Sequence, residues 1–182
     1  FEWIMNSNGL YNGTNITLDL DTSFGAMVPT FQGGSGDFCT MFEPTATEYQ
    51  NSGLGYIVAS VGEYSGEIPY TCFMASRSFM KKHPEKIDGF LRAIKKAYTF
   101  IMTNDDTVVA NALLPSFDGS TVESLAIAVA SYKSIDAWMA TPAMTESSFR
   151  RLLEVLRNSG TLDSSAVVNF TDVVDNSFAL KI

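Results

Sequence analysis

Three strand-like segments alternate with two helix-like segments in the first third of the chain, and this alternation constrains the fold most strongly. The strand-like segments are NITLDL (Asn15 to Leu20), DFCTMF (Asp37 to Phe42) and GYIVASV (Gly55 to Val61). Each is short, contains β-branched or aromatic residues and is bounded by turn-forming residues, which is typical of β-strands. Because strands separated by helices usually pair in parallel, the pattern predicts an α/β fold with helices on the faces of a sheet.

Helix signals fill the spaces between these predicted strands. Thr22 or Ser23 supplies an N-cap for a segment that ends at the glycine pair 33–34. Pro44 stands where a short helix through Gln50 would begin, and proline is favourable in a first helical turn. The spacing therefore predicts one short helix after each of the first two strands.

The rest of the chain is mainly helical after a fourth strand-like segment, YTCFMAS (Tyr70 to Ser76). Pro84 begins a long segment whose apolar residues recur at steps of three and four, which predicts an amphipathic helix. Ser120 and Glu123 have the spacing of a capping box, and Thr145 precedes another amphipathic pattern. These signals predict three further helices.

A segment rich in turn-forming residues, GEYSGEIPY (62–70), interrupts this order. Such stretches are typical of exposed connections between compact parts of a chain. We therefore predict an α/β part at residues 1–62, a hinge crossover at 63–70 and a mainly helical part at 71–182.

The charge balance excludes several classes of partner. Among 182 residues, 20 are acidic and 12 are basic, which gives a formal net charge of −8. Nucleic-acid binding needs clustered lysines and arginines to replace counterions, so this class of function is not expected. A polybasic membrane-surface role is disfavoured for the same reason. No run of about 18 apolar residues exists that could span a bilayer.

Few residues could support catalysis. The single histidine, His83, precedes Pro84, where entry into a surface helix accounts for it. A Ser-His-Asp or Cys-His arrangement therefore lacks a well-placed base. No nucleotide-binding glycine motif follows a predicted strand, and no His, Cys and carboxylate group has metal-ligand spacing. We expect no enzymatic activity, no metal and no cofactor.

The candidate binding residues follow from the predicted sheet. Ligands of open α/β sheets bind outside the carboxyl ends of the strands, where helix starts offer free N–H groups to polar or anionic ligands. The residues at these ends and in the crossover are Thr22, Ser23, Phe42, Glu43, Thr45, Tyr64 and Tyr70.

Glu43 and Phe42 each have two interpretations. The Glu43 carboxylate could hold a cationic or amide-bearing ligand, or it could stabilise the start of the following helix through the helix dipole. Phe42 could form an aromatic wall of a cleft, as could Tyr64 and Tyr70, or it could pack in the core. Spacing alone leaves these alternatives open.

Two sequence segments carry a family resemblance. The first is GDFCTMFEPTATEYQ, and the second, further along the chain, is GEIPYTCFMASRSFMKKHPEKIDGFLRAIKKAYTFI. They resemble the substrate-binding proteins of ABC importers in the nitrate/sulfonate/taurine group, which also contains binders of thiamine-pyrimidine precursors. The similarity covers essentially the whole chain. The matching residues are Asp37, Phe42, Glu43, Pro44, Gly66, Ile68, Pro69, Tyr70, Pro84, Phe90 and Ala93.

The resemblance implies a type II-like periplasmic-binding-protein fold, with one lobe nearly complete and the helical returning part of the other. It implies a bacterial solute-binding protein, periplasmic or lipid-anchored at the cell surface, that takes a small polar or anionic organic molecule to an ABC permease. Residues 1–62 would belong to the second lobe and 71–182 to the first. The family's N-terminal half would be absent, so we expect exposed apolar surface and self-association of this chain.

Two alternatives accompany this interpretation. The same fold resembles pyrimidine-precursor synthases that use a histidine and a pyridoxal cofactor, but their Cys-rich motif is absent here and His83 does not match the histidine position. A ligand-sensing module built on the same lobes is the other alternative. Transport is the preferred hypothesis.

Overall fold

A computed structural model describes residues 1–182, and its regular secondary structure is helical. Three short 3₁₀ segments, Phe24–Ala26, Leu114–Ser116 and Ala179–Lys181, accompany ten α-helices. The helices are α1 (Glu2–Ser7), α2 (Met27–Gln32), α3 (Thr45–Asn51), α4 (Val61–Ser65), α5 (Arg77–Lys82), α6 (Pro84–Thr103), α7 (Asp106–Leu113), α8 (Val122–Ser134), α9 (Glu146–Asn158) and α10 (Phe170–Val173).

The predicted sheet is absent, so the expectation of an α/β periplasmic-binding-protein fold is wrong for this structure. None of the four segments 15–20, 37–42, 55–61 and 70–76 forms a strand. The one β-bridge joins Asn12 to Ile16 within a local turn. The expected rim of strand ends therefore does not exist either.

The physical reason lies in where a strand obtains its hydrogen bonds. A helix pairs its main-chain groups within itself, whereas a strand needs a neighbour at hydrogen-bonding distance. The strand-like pattern shows that a segment suits a half-buried sheet, but it does not supply that neighbour. Here no such segment pairs with another, and side chains such as Leu20, Phe38 and Phe73 are exposed.

Contacts within the chain divide it into two compact units. The first unit comprises Phe1–Val61 and Asp105–Ser134, and the second comprises Gly62–Asn104 and Ile135–Ile182. The segment 105–134 thus groups with the N-terminal residues.

The core of the first unit is the pairing of α7 with α8. Val109 and Ala110 of α7 are buried, as are Leu125, Ala128 and Val129 of α8. Lys133 near the end of α8 donates to Asp106 Oδ1 at the start of α7, at 2.7 Å. Helix α3 also packs on α8, and its Thr47 is buried.

The second unit has a smaller core around α9. Phe149 and Leu153 of this helix are buried, and the Phe149 ring meets that of Phe170 edge to face, with centroids 5.4 Å apart. Helix α6 begins at Pro84, which confirms that predicted start, but buries no residue fully. Its Phe90 contacts Phe73 edge to face at 4.7 Å.

Two predicted helix caps had different outcomes. Thr145 is the N-cap of α9, and its Oγ1 accepts the Ser148 amide at 3.2 Å, which confirms the predicted cap. The capping box of Ser120 with Glu123 is wrong, because Thr121 and Ser124 exchange these hydrogen bonds instead.

None of the helices combines the length and apolar character that crossing a bilayer requires.

Candidate functional site

The turn at Glu43-Pro44 carries the most specific polar contacts among the predicted site residues. It joins a non-helical segment to α3 through a cis peptide bond. The half-buried Glu43 accepts the amide of Thr47 on its Oε2 atom at 3.1 Å. One carboxylate oxygen thus satisfies an N–H group in the first turn of α3, as the helix-start interpretation of Glu43 requires.

Tyr132 fixes this turn from α8. Its hydroxyl oxygen accepts the main-chain N–H of Glu43 at 3.3 Å. Burial raises the pKa of the Tyr132 phenol, the N–H of Glu43 opposes that change, and the nearby Glu43 carboxylate adds to it. The phenol therefore stays protonated at neutral pH and can serve both as a donor and as an acceptor.

A second predicted turn meets the first through two aromatic rings. Phe24, which directly follows Thr22 and Ser23, lies with its ring centroid 5.6 Å from that of Phe42, at an interplanar angle of 55°. Both rings are substantially exposed. The two loops thus present a tilted aromatic pair beside Glu43, a geometry that contributes attraction beyond simple area burial.

The hydroxyl groups of Thr22, Ser23 and Thr45 differ in their surroundings. Thr22 donates to Asp19 Oδ2 at 2.6 Å. This bond is the largest cause that lowers the pKa of Asp19 below its ordinary value. The hydrogen bonds from the main-chain amides of Thr22 and Asp21 lower the pKa further. Ser23 precedes the 3₁₀ turn without a side-chain cap bond, and Thr45 is exposed at the start of α3.

Tyr64 and Tyr70 belong to the second unit, whereas the other five predicted residues belong to the first. Tyr64 lies on α4 and Tyr70 follows a non-helical stretch, and both rings are exposed. A role for all seven residues in binding stays a prediction.

Sequence reasoning missed Phe24, Thr47 and Tyr132. The first two carry a local signal, because Phe24 follows the predicted Thr22-Ser23 turn and Thr47 is four residues after Glu43. No local signal in the sequence points to Tyr132, because it is 89 residues from Glu43 and contacts it only through the packing of α8. The Thr47 hydroxyl is buried without a hydrogen-bond partner.

His83 has contacts that suit a helix entry. It is the N-cap residue of α6, its ring stacks at a tilt on Phe79 with centroids 5.0 Å apart, and its Nδ1 lies 3.6 Å from Glu85 Oε1. No three His, Cys, Asp or Glu side chains converge in a way that could hold a metal ion.

Comparison with known proteins finds a curated relative that matches this chain over its full length. The chain is 28% identical over 181 residues to a Bacillus subtilis (strain 168) protein named "Putative binding protein YtlA". The match covers 100% of this chain and 54% of that protein, so the chain spans about half the length of its relative. No solved structure matches significantly.

A family model agrees with the resemblance seen in the sequence motifs. The model described as "NMT1/THI5 like" matches residues 10–108, which is more than half of the chain and includes the Glu43-Pro44 turn and the crossover segment. The chain belongs to the NMT1/THI5-like family.

Proposed function

We propose that this chain serves as a solute-binding component of an ABC importer. It would bind a small polar or anionic organic molecule outside the cytoplasmic membrane and deliver that molecule to a membrane permease. The observation that carries the proposal is the identity to a protein named as a binding protein, which extends over the whole chain. The synthase-like and sensing alternatives have no structural observation of their own.

The Glu43 turn is the proposed polar contact for the ligand. Glu43 Oε2 accepts the Thr47 amide, and Oε1 is the oxygen that would accept a donor group of the ligand. A charge-assisted hydrogen bond of this kind is worth more than a neutral one, above all in a partly dry site. Phe24 and Phe42 would supply an apolar face next to it. These contacts favour a ligand with an N–H or hydroxyl donor attached to a flat or apolar body.

The remaining predicted residues are proposed as secondary contacts. Thr22, Ser23 and Thr45 would offer hydroxyl groups in the first unit, and Tyr64 and Tyr70 would offer aromatic surface in the second. The segment 63–70 is proposed as a hinge between residues 1–62 and 71–182, and the division of the two units after Val61 supports a boundary there.

Substitution of Glu43 by glutamine tests the proposed contact. The amide oxygen of glutamine can still accept the Thr47 amide, so α3 keeps its start while the negative charge is lost. A thermal-shift screen of sulfonates, nitrate, bicarbonate, aromatic acids and pyrimidines first identifies a ligand, and calorimetry then gives its dissociation constant. For a ligand that donates a hydrogen bond to this carboxylate, we expect Glu43→Gln to weaken binding at least about tenfold, or about 1.4 kcal/mol.

Glu123→Gln is the matched control, because Glu123 is an exposed carboxylate in the first turn of α8 in the same unit. Its dissociation constant should equal that of the unsubstituted chain. An unchanged constant for Glu43→Gln would restrict Glu43 to stabilising the helix start. No response to any member of the panel would contradict the proposed solute class.

A further inference from the structure

The basic residues of this chain are unevenly distributed along the sequence. Residues 77–96, which form α5 and most of α6, contain 7 of the 12 lysines and arginines but only 2 of the 20 acidic residues. This segment therefore has a formal charge of +5, while the rest of the chain has a charge of −13. A local excess of this size indicates a surface for an anionic partner, which the net charge of −8 conceals.

No ion pair within the chain neutralises these seven basic side chains. Six of them are exposed, and Lys95 is half-buried. The ion pairs of the chain involve other cationic residues. Arg77 donates to the main-chain carbonyl of Asp172 at 3.2 Å, a contact that does not neutralise its charge. The positive charge of this segment is therefore available to a partner in solution.

One exposed side of α6 combines two of these lysines with apolar residues. Helix residues three and four positions apart share a face. Seven residues at this spacing are all exposed, namely Lys86, Gly89, Phe90, Ala93, Lys96, Ala97 and Phe100, and we call them the α6 stripe. Neither acidic residue of the segment belongs to the stripe. Asp88 has a buried Oδ1 atom, and Glu85 lies 3.6 Å from His83 Nδ1 at the start of the helix.

The composition of the α6 stripe indicates the chemistry of its partner. Its two phenylalanine rings are 43% and 39% exposed, and its two lysines offer only hydrogen-bond donors and positive charge. No side chain of the stripe can accept a hydrogen bond. A matching surface presents acceptor oxygens and negative charge above an apolar layer, as anionic phospholipid headgroups do above hydrocarbon. Lysine and phenylalanine on the outer side of a helix are typical of helices that lie in such an interface.

Other anionic partners match the stripe less well. A single-stranded nucleic acid is held in a positively charged groove, whereas the stripe is the convex side of a helix. An acidic protein surface presents donors as well as acceptors, and the stripe has no acceptor for those donors. The charge of −13 on the rest of the chain opposes approach to any anionic surface. At about 0.1 M salt, screening restricts this repulsion to about 10 Å, so the residues nearest the surface decide the contact.

We propose that the α6 stripe binds the surface of an anionic phospholipid bilayer. Phe90 and Phe100 enter between the headgroups, while Lys86 and Lys96 contact the phosphates. The other basic residues of 77–96 add long-range attraction. The net charge disfavours this role for the chain as a whole, whereas the local charge of +5 favours it at this helix. Two rings and two lysines make a small contact, so the binding is weak and reversible.

Flotation with lipid vesicles tests the proposal. Vesicles of equal parts phosphatidylglycerol and phosphatidylcholine at about 0.05 M salt should bind the chain at least about tenfold more tightly than vesicles of phosphatidylcholine alone. Raising the salt concentration to about 0.5 M should weaken the binding, because it screens the attraction between lysines and phosphates.

Lys86→Gln combined with Lys96→Gln should weaken binding to the anionic vesicles at least about tenfold, because each lysine near an anionic surface contributes about fivefold. Glutamine forms helices about as well as lysine, so α6 should persist. Arg157→Gln combined with Lys181→Gln is the matched control, since both residues are exposed in the second unit and the change in charge is the same. The affinity of the control should stay within about twofold of that of the unsubstituted chain.

Phe100→Gln tests the apolar part of the contact and should weaken vesicle binding at least about threefold. Met102→Gln is its control, as Met102 is 45% exposed on the same helix but lies outside the stripe. The control should bind as the unsubstituted chain does. Circular dichroism of all four variants checks that the helices persist.

Four results would overturn the proposal. The first is a lack of binding to the anionic vesicles, and the second is equal binding to both kinds of vesicle. The third is equal weakening by the stripe variants and their controls, which would indicate adhesion through other exposed surface. The fourth is tighter binding to a thymidine oligonucleotide or to polyglutamate than to the vesicles, which would assign the basic segment to a nucleic acid or to an acidic protein.

Discussion

The helix pair α7–α8 and the four strand-like segments are equally apolar in sequence but have opposite fates in the structure. Val109, Leu125 and Val129 of the helix pair are almost completely buried. Tyr56 and Met74, from the segments 55–61 and 70–76, are among the most exposed side chains in the chain. Apolar composition alone therefore does not decide burial in this molecule.

The difference follows from how each element satisfies its main chain. Helices α7 and α8 pair their N–H and C=O groups internally, and each then needs only one apolar face to pack against the other. A strand-like segment must find both a hydrogen-bonding neighbour and a covering layer. Where neither is present, the segment keeps its apolar side chains exposed to water.

The largest expected effect contrasts the two regions directly. Leu125→Ala leaves a cavity between α7 and α8, and it should lower the free energy of unfolding by about 2–5 kcal/mol. Val58→Ala removes an exposed side chain and should change it by no more than about 0.5 kcal/mol. Urea unfolding measures both. Equal losses would mean that residues 55–61 are packed as well as α8 is.

A smaller loss of stability is expected at two glycines outside the helices, of which one lies against a side chain and the other does not. Gly66 has φ of +62°, and a Cβ built there lies 2.7 Å from Arg151 Nη1, an atom that donates to the Glu67 carbonyl. Gly66→Ala should cost about 2–3 kcal/mol, the sum of a left-handed alanine and a displaced hydrogen bond.

Gly53→Ala is its control, with φ of +72° and open space around the built Cβ. This change should cost only about 1–2 kcal/mol, from the backbone conformation alone. Urea unfolding of the two variants gives the difference. A cost for Gly53→Ala as large as that for Gly66→Ala would show that Arg151 does not hold the segment around residue 66.

The smallest effect concerns a turn at the end of the segment 15–20. The hydroxyl of Thr22 is the main cause of the lowered Asp19 pKa, so Thr22→Val should raise that pKa towards its ordinary value. A lowered pKa in the folded state stabilises the fold above the unfolded value and ceases to do so as the pH falls through the folded value. In Thr22→Val this contribution to stability should therefore be smaller, and its loss should be complete at a higher pH.

Carboxyl-carbon NMR titration measures this change residue by residue. Asp163 serves as an internal control, because its pKa is lowered by Ser165 rather than by Thr22. An Asp19 pKa that stays the same in Thr22→Val would show that the main-chain amides of Asp21 and Thr22 alone hold the carboxylate.

Local signals in the sequence predicted local features of the fold. The start of α6 at Pro84 and the Thr145 cap of α9 depend on residues within one turn of the helix end, and both were found where predicted. The Ser120 cap was wrong because the adjacent pair Thr121 and Ser124 makes the capping hydrogen bonds, while the Ser120 hydroxyl donates to the distant Glu48 at 2.6 Å. The sheet was wrong for a different reason, since strand pairing depends on residues far away in the chain.

The candidate site likewise contains residues that the sequence identified and one that it could not identify. Glu43 and Phe42 could be selected from the sequence because a proline-opened helix follows them. Tyr132, which fixes the main chain of Glu43, could not, because only the packing of α3 on α8 brings it there. The seven residues were chosen for a common rim of strand ends, and without strands their joint role depends on the binding experiments.

Amide hydrogen exchange at low protein concentration tests most directly the claim that helices satisfy their main chain while the strand-like segments do not. We predict slow exchange for amides in the interior of α7 and α8, and exchange close to that of an unfolded chain for Tyr56, Val58 and residues 71–75. Protection of these residues comparable to that of Val129 would contradict the account, because it would show that they belong to a hydrogen-bonded sheet.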